Sequence, residues 1–323
     1  MNDIIIASQF APNINAQLAE KAQLRVIDVP PGPLTTLSTA ANVLFALPFR
    51  SGGANSASKP IAPELSKAPP GWPFKLDWIQ LASVGIDYYP SWLFQGPIVT
   101  SARGTASDAI AEYVLAAIFS ASKNIPAIWL NDASAWQRQS LTLVKGSVLG
   151  LYGFGSIGRA LAQRALALGL RVVALRRSDT PFEVEGVQAV SNLAELFALS
   201  DHLVLAAPAT AATRHAINQA VLAKAKPGLH LINIARGSLI DDEALLDALD
   251  AGQISLATLD VTEPEPLPAG HRFYSHRQIR LSPHISPSTD HIVTALIDKF
   301  IGNLQRFRTG QPLHDVIDLA RGY

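Results

Sequence analysis

The sequence predicts an α/β protein built from two doubly wound parallel-sheet domains, and three observations carry that prediction. The chain has 323 residues, room for two domains of about 150 residues each. Short apolar runs alternate with helix-length segments along most of it, the pattern of β-α units whose strands are covered on both faces. That alternation is interrupted once, by a strongly apolar helical segment starting near Ser107, and a second series then begins at Ser147. Apolar residues make up 48% and charged residues 16%, far from the low-hydrophobicity, high-charge signature of disorder.

In the first series, residues 4–7, 24–29, 43–47 and 78–82 read as strands and 12–22 as a helix. Between Pro48 and Pro73 the breakers Gly52, Gly53, Pro60, Pro63, Pro69, Pro70 and Gly71 argue for loops and short turns. Residues 108–122 form a helix with Ser107 as its expected cap, and further helical structure is expected toward Trp136. In the second series strands are predicted at 148–152, 171–175, 202–206, 229–234, 256–259 and 279–281, with helices opening near Ile157 and Asp242. Residues 288–308 read as one helix, with Ile292, Ala295, Leu296, Phe300 and Leu304 on one face.

Composition excludes several function classes. Lys plus Arg and Asp plus Glu both total 26, and a pI near 7.1 leaves no global field to attract nucleic acid or an anionic membrane. Zero cysteines exclude a disulfide framework, a thiolate nucleophile and Cys-containing metal sites, and no metal is expected. The N-terminal Ile4, Ile5 and Ile6 lack the flanks of a signal peptide. The apolar run at 109–120 is broken by Glu112 and falls short of the roughly 20 residues that span a bilayer. A cytoplasmic location is expected.

Gly153-Phe154-Gly155-Ser156-Ile157-Gly158 directly follows a strand and opens a helix. In that context the glycines serve a tight turn, close approach to a pyrophosphate and helix–strand packing, while the helix N-terminus offers amides and positive dipole. A turn without ligand is the alternative. An NAD-preferring site places a carboxylate about 20 residues on, at the end of the next strand. Here that position is Arg176, followed by Arg177 and Ser178. Guanidinium groups suit a 2′-phosphate, so NADP is the expected cofactor and NAD the less favoured one. Solvated loop charges are the alternative reading of both arginines.

Three further segments each follow a strand: Asn233-Ile234-Ala235-Arg236-Gly237, Asp260-Val261-Thr262-Glu263-Pro264-Glu265-Pro266, and Ser282-Pro283-His284-Ile285. The carboxyl edge of a parallel sheet is where ligands of such folds bind. Together with Leu81 to Asp87, Ala111-Glu112, the glycine turn and Ala207-Pro208, these segments resemble the D-isomer-specific 2-hydroxyacid dehydrogenase family in order and spacing from about Asp77 to Arg308.

The resemblance implies a Rossmann cofactor domain, 101–285, inserted into a flavodoxin-like substrate domain, 1–100 plus 286–323, and a homodimer built largely from the cofactor domain. It implies that Arg236 binds a 2-oxo acid, that His284 is the acid-base residue and that Glu265 is its carboxylate partner. It also implies that Ala207, Pro208, Ile234, Ala235 and Asp260 lie along the cofactor, and that Val84 and Gly85 offer backbone amides to the substrate carboxylate. The chemistry agrees: hydride delivery to a ketone creates an alkoxide, which needs a proton donor and a positive group nearby. A carboxylate beside an imidazole favours its charged, donating form.

Some assignments stay open. Glu263 competes with Glu265, and family position alone separates them. Asp260 either orients Arg236, contacts the nicotinamide side or caps a turn. Arg50 either reaches a substrate's distal group or is a solvated loop arginine. Where family members often carry glycine after the histidine, this chain has Ile285-Ser286-Pro287. The sequence ends at Tyr323 without a further regulatory domain, an expectation against the longer phosphoglycerate-oxidising members. The expected activity is reduction of glyoxylate, hydroxypyruvate or a similar small 2-oxo acid. The alternatives are a corepressor-type NAD(P)-sensing interaction protein and a reductase of bulkier sugar-derived or aromatic 2-oxo acids.

Overall fold

The computed structural model describes residues 4–32, 34, 40–49, 66–178 and 180–322. Arg50 and most of the breaker-rich segment therefore lie outside the described residues. The chain divides into two compact units, Met1–Thr105 with Thr289–Tyr323, and Ala106–Ser288.

The first unit opens with β1 (Ile6–Ser8), α1 (Pro12–Ala22), β2 (Val26–Asp28), β3 (Val43–Ala46), β4 (Trp78–Leu81) and β5 (Ile98–Thr100). All its pairings are parallel, in the order β2-β1-β3-β4-β5, the flavodoxin-like arrangement. Pro12 starts α1, where a missing N–H costs nothing. Strands β3 and β4 are buried throughout, which explains their unbroken apolar signal. Strand β5 escapes sequence reading because it is three residues long and follows directly on Gly96-Pro97.

The second unit begins with α2 (Ser107–Ser122) and continues through β6 (Val148–Tyr152), α3 (Ser156–Ala167), β7 (Arg171–Leu175), β8 (Val187–Ala189), α4 (Leu193–Leu199) and β9 (His202–Leu205). It closes with α5 (Gln219–Leu222), β10 (Leu229–Asn233), α6 (Asp242–Asp250), β11 (Ile254–Leu259) and β12 (Ile279–Leu281). Its seven strands pair in the order β12-β11-β10-β9-β6-β7-β8, all parallel. That is the Rossmann order with one added edge strand, and its topological switch point lies between β6 and β9.

Two expectations need correction here. Residues 123–146 contain only a single 3-10 turn, Ala133–Ala135, not a helix reaching Trp136; Pro126 cannot continue α2. Ser107 does not cap α2 but is its first residue, and its buried hydroxyl makes no hydrogen bond.

The last helix, α7 (Ile292–Arg308), belongs to the first unit. It starts four residues later than expected: the Ser288 amide turns back to the Ile285 carbonyl and the Ile292 amide to the Thr289 carbonyl before the helix opens. Its apolar face, Leu296, Ile297, Phe300 and Leu304, joins Ile6, Leu18, Phe45 and Trp78 in one cluster. Phe300 stacks on Phe45 and Trp78 with centroids 4.8 and 4.9 Å apart. This aromatic packing is why the chain returns to its first unit after completing the second.

Candidate active site

The glycine turn runs from the end of β6 into α3. Gly153 has φ +101°, and a Cβ there would lie 2.7 Å from the backbone of Ala206 and Ala207, just beyond β9. Only glycine lets the turn sit that close to the neighbouring strand end. A Cβ at Gly158 would approach the Gly153 carbonyl at 3.0 Å. Helix α3 begins at Ser156, and its N-cap, Gly155, supplies no capping side chain, so the first-turn amides are open to an anion. Ile234 and Ala207 are buried beside this edge, and Pro208 accepts a hydrogen bond from Thr213 Oγ1 at 2.7 Å. The cradle fits a dinucleotide pyrophosphate at the switch point.

Arg176, directly after β7, is tied into its own loop. Its Nε donates to the Ser178 carbonyl at 3.2 Å, and its Nη2 donates to Thr180 Oγ1 at 2.6 Å and to the Pro181 carbonyl at 2.7 Å. Nη1 lies 3.7 Å from Glu183. The guanidinium also covers the Phe182 ring at 4.5 Å, and Phe182 meets Phe154 of the glycine turn edge-on at 4.6 Å. Arg176 therefore folds its own loop back over the turn. Arg177 and Ser178 are exposed on that loop.

The three strand-end segments converge because β10, β11 and β12 are neighbours. Arg236 follows β10. Asn233, the fully buried last residue of β10, staples this turn by accepting from the Ala235 amide at 3.0 Å and donating to the Arg236 carbonyl at 2.8 Å. Arg236 Nη1 bonds the Ala235 carbonyl at 2.7 Å. A Cβ on Gly237 would come within 2.1 Å of the Thr262 carbonyl carbon and 2.4 Å of the Glu263 amide nitrogen. Glycine here allows the arginine turn to lie directly on the segment that carries the acidic residues.

That contact decides where the two glutamates stand. Glu265 is 8% exposed; its Oε1 accepts the Thr262 amide at 3.1 Å, and its Oε2 meets His284 Nδ1 at 2.9 Å. Glu263 points elsewhere, to Arg214 at 3.0 Å. The His284–Glu265 pair engages the ring through Nδ1. His284 itself adopts φ +53°, unusual for a side-chain-bearing residue, with its amide held by the Asp260 carbonyl at 2.8 Å.

Asp260 is 1% exposed and holds the segment after β12. Its Oδ1 accepts from Ser282 Oγ at 2.6 Å and from the Ile285 amide at 2.9 Å, and its Oδ2 accepts from the Ser286 amide at 3.0 Å. Asp260 thus shapes the histidine loop.

In the first unit, Val84 and Gly85 follow β4, where Ser83 Oγ donates to the Gly85 carbonyl at 2.8 Å and Val84 is exposed. Among the described residues no group of three or more His, Cys, Asp or Glu side chains stands ready for a metal. Sequence reading missed roles for Asn233 and Gly237. A polar residue closing an otherwise apolar strand, and a glycine directly after the arginine, were the signals available.

A family model, "D-isomer specific 2-hydroxyacid dehydrogenase, NAD binding domain", matches residues 115–286. The chain belongs to this family. A D-3-phosphoglycerate dehydrogenase of Mycobacterium bovis is 33% identical over 296 residues, covering 88% of this chain and 53% of that protein. A glyoxylate reductase of Thermococcus gammatolerans is 32% identical over 228 residues, covering 67% of this chain and 68% of the relative. The chain thus spans about half the length of the first curated dehydrogenases it matches. A D-isomer specific 2-hydroxyacid dehydrogenase from Xanthobacter autotrophicus, solved with NADPH and MES, superposes with TM-score 0.81 at 24% identity, covering 99% of this chain and 100% of that one. At that identity the dehydrogenase structure speaks for the shared fold.

Proposed function

We propose that this protein reduces a small 2-oxo acid, of the glyoxylate or hydroxypyruvate kind, to the D-2-hydroxy acid with NADPH. The observation that carries this reading is the half-buried His284 paired with the buried Glu265 beside the Arg236 turn, at the carboxyl edge of a sheet whose glycine cradle fits a dinucleotide. When bound, the nicotinamide supplies a hydride to the carbonyl carbon. Arg236 holds the substrate's carboxylate and carbonyl oxygen, and its charge offsets the developing alkoxide. The backbone amides of Val84 and Gly85 are proposed as further donors to that carboxylate. Glu265 holds the imidazole through Nδ1, so His284 delivers the proton from Nε2 and is left neutral. One hydride and one proton convert the ketone to the alcohol.

The NADPH preference rests on Arg176, which stands where an NAD-preferring site has its carboxylate, and on the Arg177 and Ser178 side chains beside it. A charge-assisted bond to a 2′-phosphate contributes about 1.5–3 kcal/mol. Arg177→Asp is therefore expected to weaken NADPH binding at least about tenfold while leaving NADH binding nearly unchanged. Equal use of both cofactors by the wild type contradicts the assignment.

A homodimer and a cytoplasmic location belong to the same proposal. No helix among the described residues is long and apolar enough to cross a membrane. Trp129, Leu130, Trp136, Leu141 and Leu143 are all exposed within one short stretch of the second unit, a surface suited to a second copy of this chain.

The test of the whole reading is an assay of the purified protein with NADPH and a panel of 2-oxo acids of increasing size. Cofactor oxidation with the smallest acids is expected. Tight dinucleotide binding without turnover of any acid would favour an interaction protein instead.

A further inference from the structure

We propose that Tyr113 is a positioning residue for His284, acting through Ser282 and Asp260. It sits on α2, and nothing in its position along the sequence links it to the histidine. The Tyr113 phenol oxygen lies 2.5 Å from Ser282 Oγ, and Ser282 Oγ donates to Asp260 Oδ1 at 2.6 Å. A serine hydroxyl has one proton. Because that proton goes to the carboxylate, the phenol must be the donor in the first bond. Burial pushes the Tyr113 phenol above its ordinary range, the Ser282 hydrogen bond opposes that shift and the nearby Asp260 charge adds to it, so the phenol stays protonated. The three groups form a chain polarised in one direction, from phenol to hydroxyl to carboxylate.

The chain ends on the backbone that presents the histidine. Asp260 holds the amides of Ile285 and Ser286 on its carboxylate and the amide of His284 on its carbonyl. Ser282, whose hydroxyl Tyr113 orients, lies two residues before His284. The left-handed backbone of His284 is unfavourable for a residue with a side chain and persists only where its surroundings over-determine it. Tyr113 supplies the outermost of those constraints. Removing it leaves Ser282 free to turn and loosens the loop that sets the imidazole against Glu265.

This inference rests on the proposed reduction. Tyr113→Phe keeps the ring and its packing and removes a single donor. Loss of one neutral hydrogen bond, worth about 1 kcal/mol, corresponds to a fall in kcat of about fivefold to tenfold. The KM for the 2-oxo acid should stay within about twofold of wild type, since substrate binding belongs to Arg236. The solvent deuterium isotope effect on kcat should rise as proton delivery becomes slower. Ser282→Ala should fall comparably, Ser282→Thr should retain activity, and the Tyr113→Phe/Ser282→Ala double variant should be no worse than Ser282→Ala alone. Wild-type kcat in Tyr113→Phe, or additive losses in the double variant, overturns the proposal. A lowered melting temperature with unchanged kcat does the same. Should the wild type turn over no 2-oxo acid, the reduction itself is refuted. The positioning role is then read from the ring-nitrogen NMR shifts of His284, assigned with His284→Ala. Those shifts move in Tyr113→Phe if the role is real and stay in place if it is not.

Discussion

His284→Ala is expected to lower kcat for 2-oxo acid reduction by about 10²- to 10⁴-fold, the range for removing a positioned general acid. NADPH binding should persist, because the glycine cradle and the α3 N-terminus are separate from the histidine loop. The imidazole is held by Glu265 on one side and by the backbone bonds to Asp260 on the other, so the alanine variant loses the proton donor while the loop keeps its anchors. Steady-state kinetics with parallel fluorescence titration of NADPH separates the two effects. Full turnover by His284→Ala would remove the assigned acid from the account.

Gly237→Ala is expected to be nearly as damaging, for a purely geometric reason. The added methyl would stand 2.1 Å from the Thr262 carbonyl carbon, 2.4 Å from the Glu263 nitrogen and 2.5 Å from the Thr262 oxygen. All three are backbone atoms, so no side chain can swing away. Either the Arg236 turn or the Glu265 segment must move. Overpacking of this kind costs about 1–3 kcal/mol of stability, and displacement of a substrate-positioning group by about 1 Å can cost 10²-fold in rate. Urea unfolding and kcat/KM together check this. A variant with wild-type stability and rate would show that the two segments are not packed as described.

The parts of this molecule that were legible in the sequence share a physical property: their signals are local. The glycine turn could be read because strand, turn and helix are contiguous. The central strands could be read because burial on both faces leaves an unbroken apolar run, as in Val148–Tyr152 and Arg171–Leu175, whose predicted and observed limits coincide. The short edge strand Val187–Ala189, with no buried residue, offered no such run. Roles set by partners distant in sequence were not legible. Nothing near Arg176 shows that Phe182, Thr180 and Glu183 turn back to occupy it, and nothing near Tyr113 points to Ser282, 169 positions away. Family position alone favoured Glu265 over Glu263; the structure supplies a physical ground, in that one carboxylate meets His284 and the other meets Arg214.

Arg236, Glu265 and His284 are proposed to carry out a reduction rather than merely sense a dinucleotide. The most direct test of that proposal is the stoichiometry of a single incubation of wild-type protein with NADPH and glyoxylate, measuring cofactor consumed and hydroxy acid formed. One glycolate is expected for each NADPH oxidised. Bound NADPH with no hydroxy acid formed, from glyoxylate or from hydroxypyruvate, would contradict the proposal.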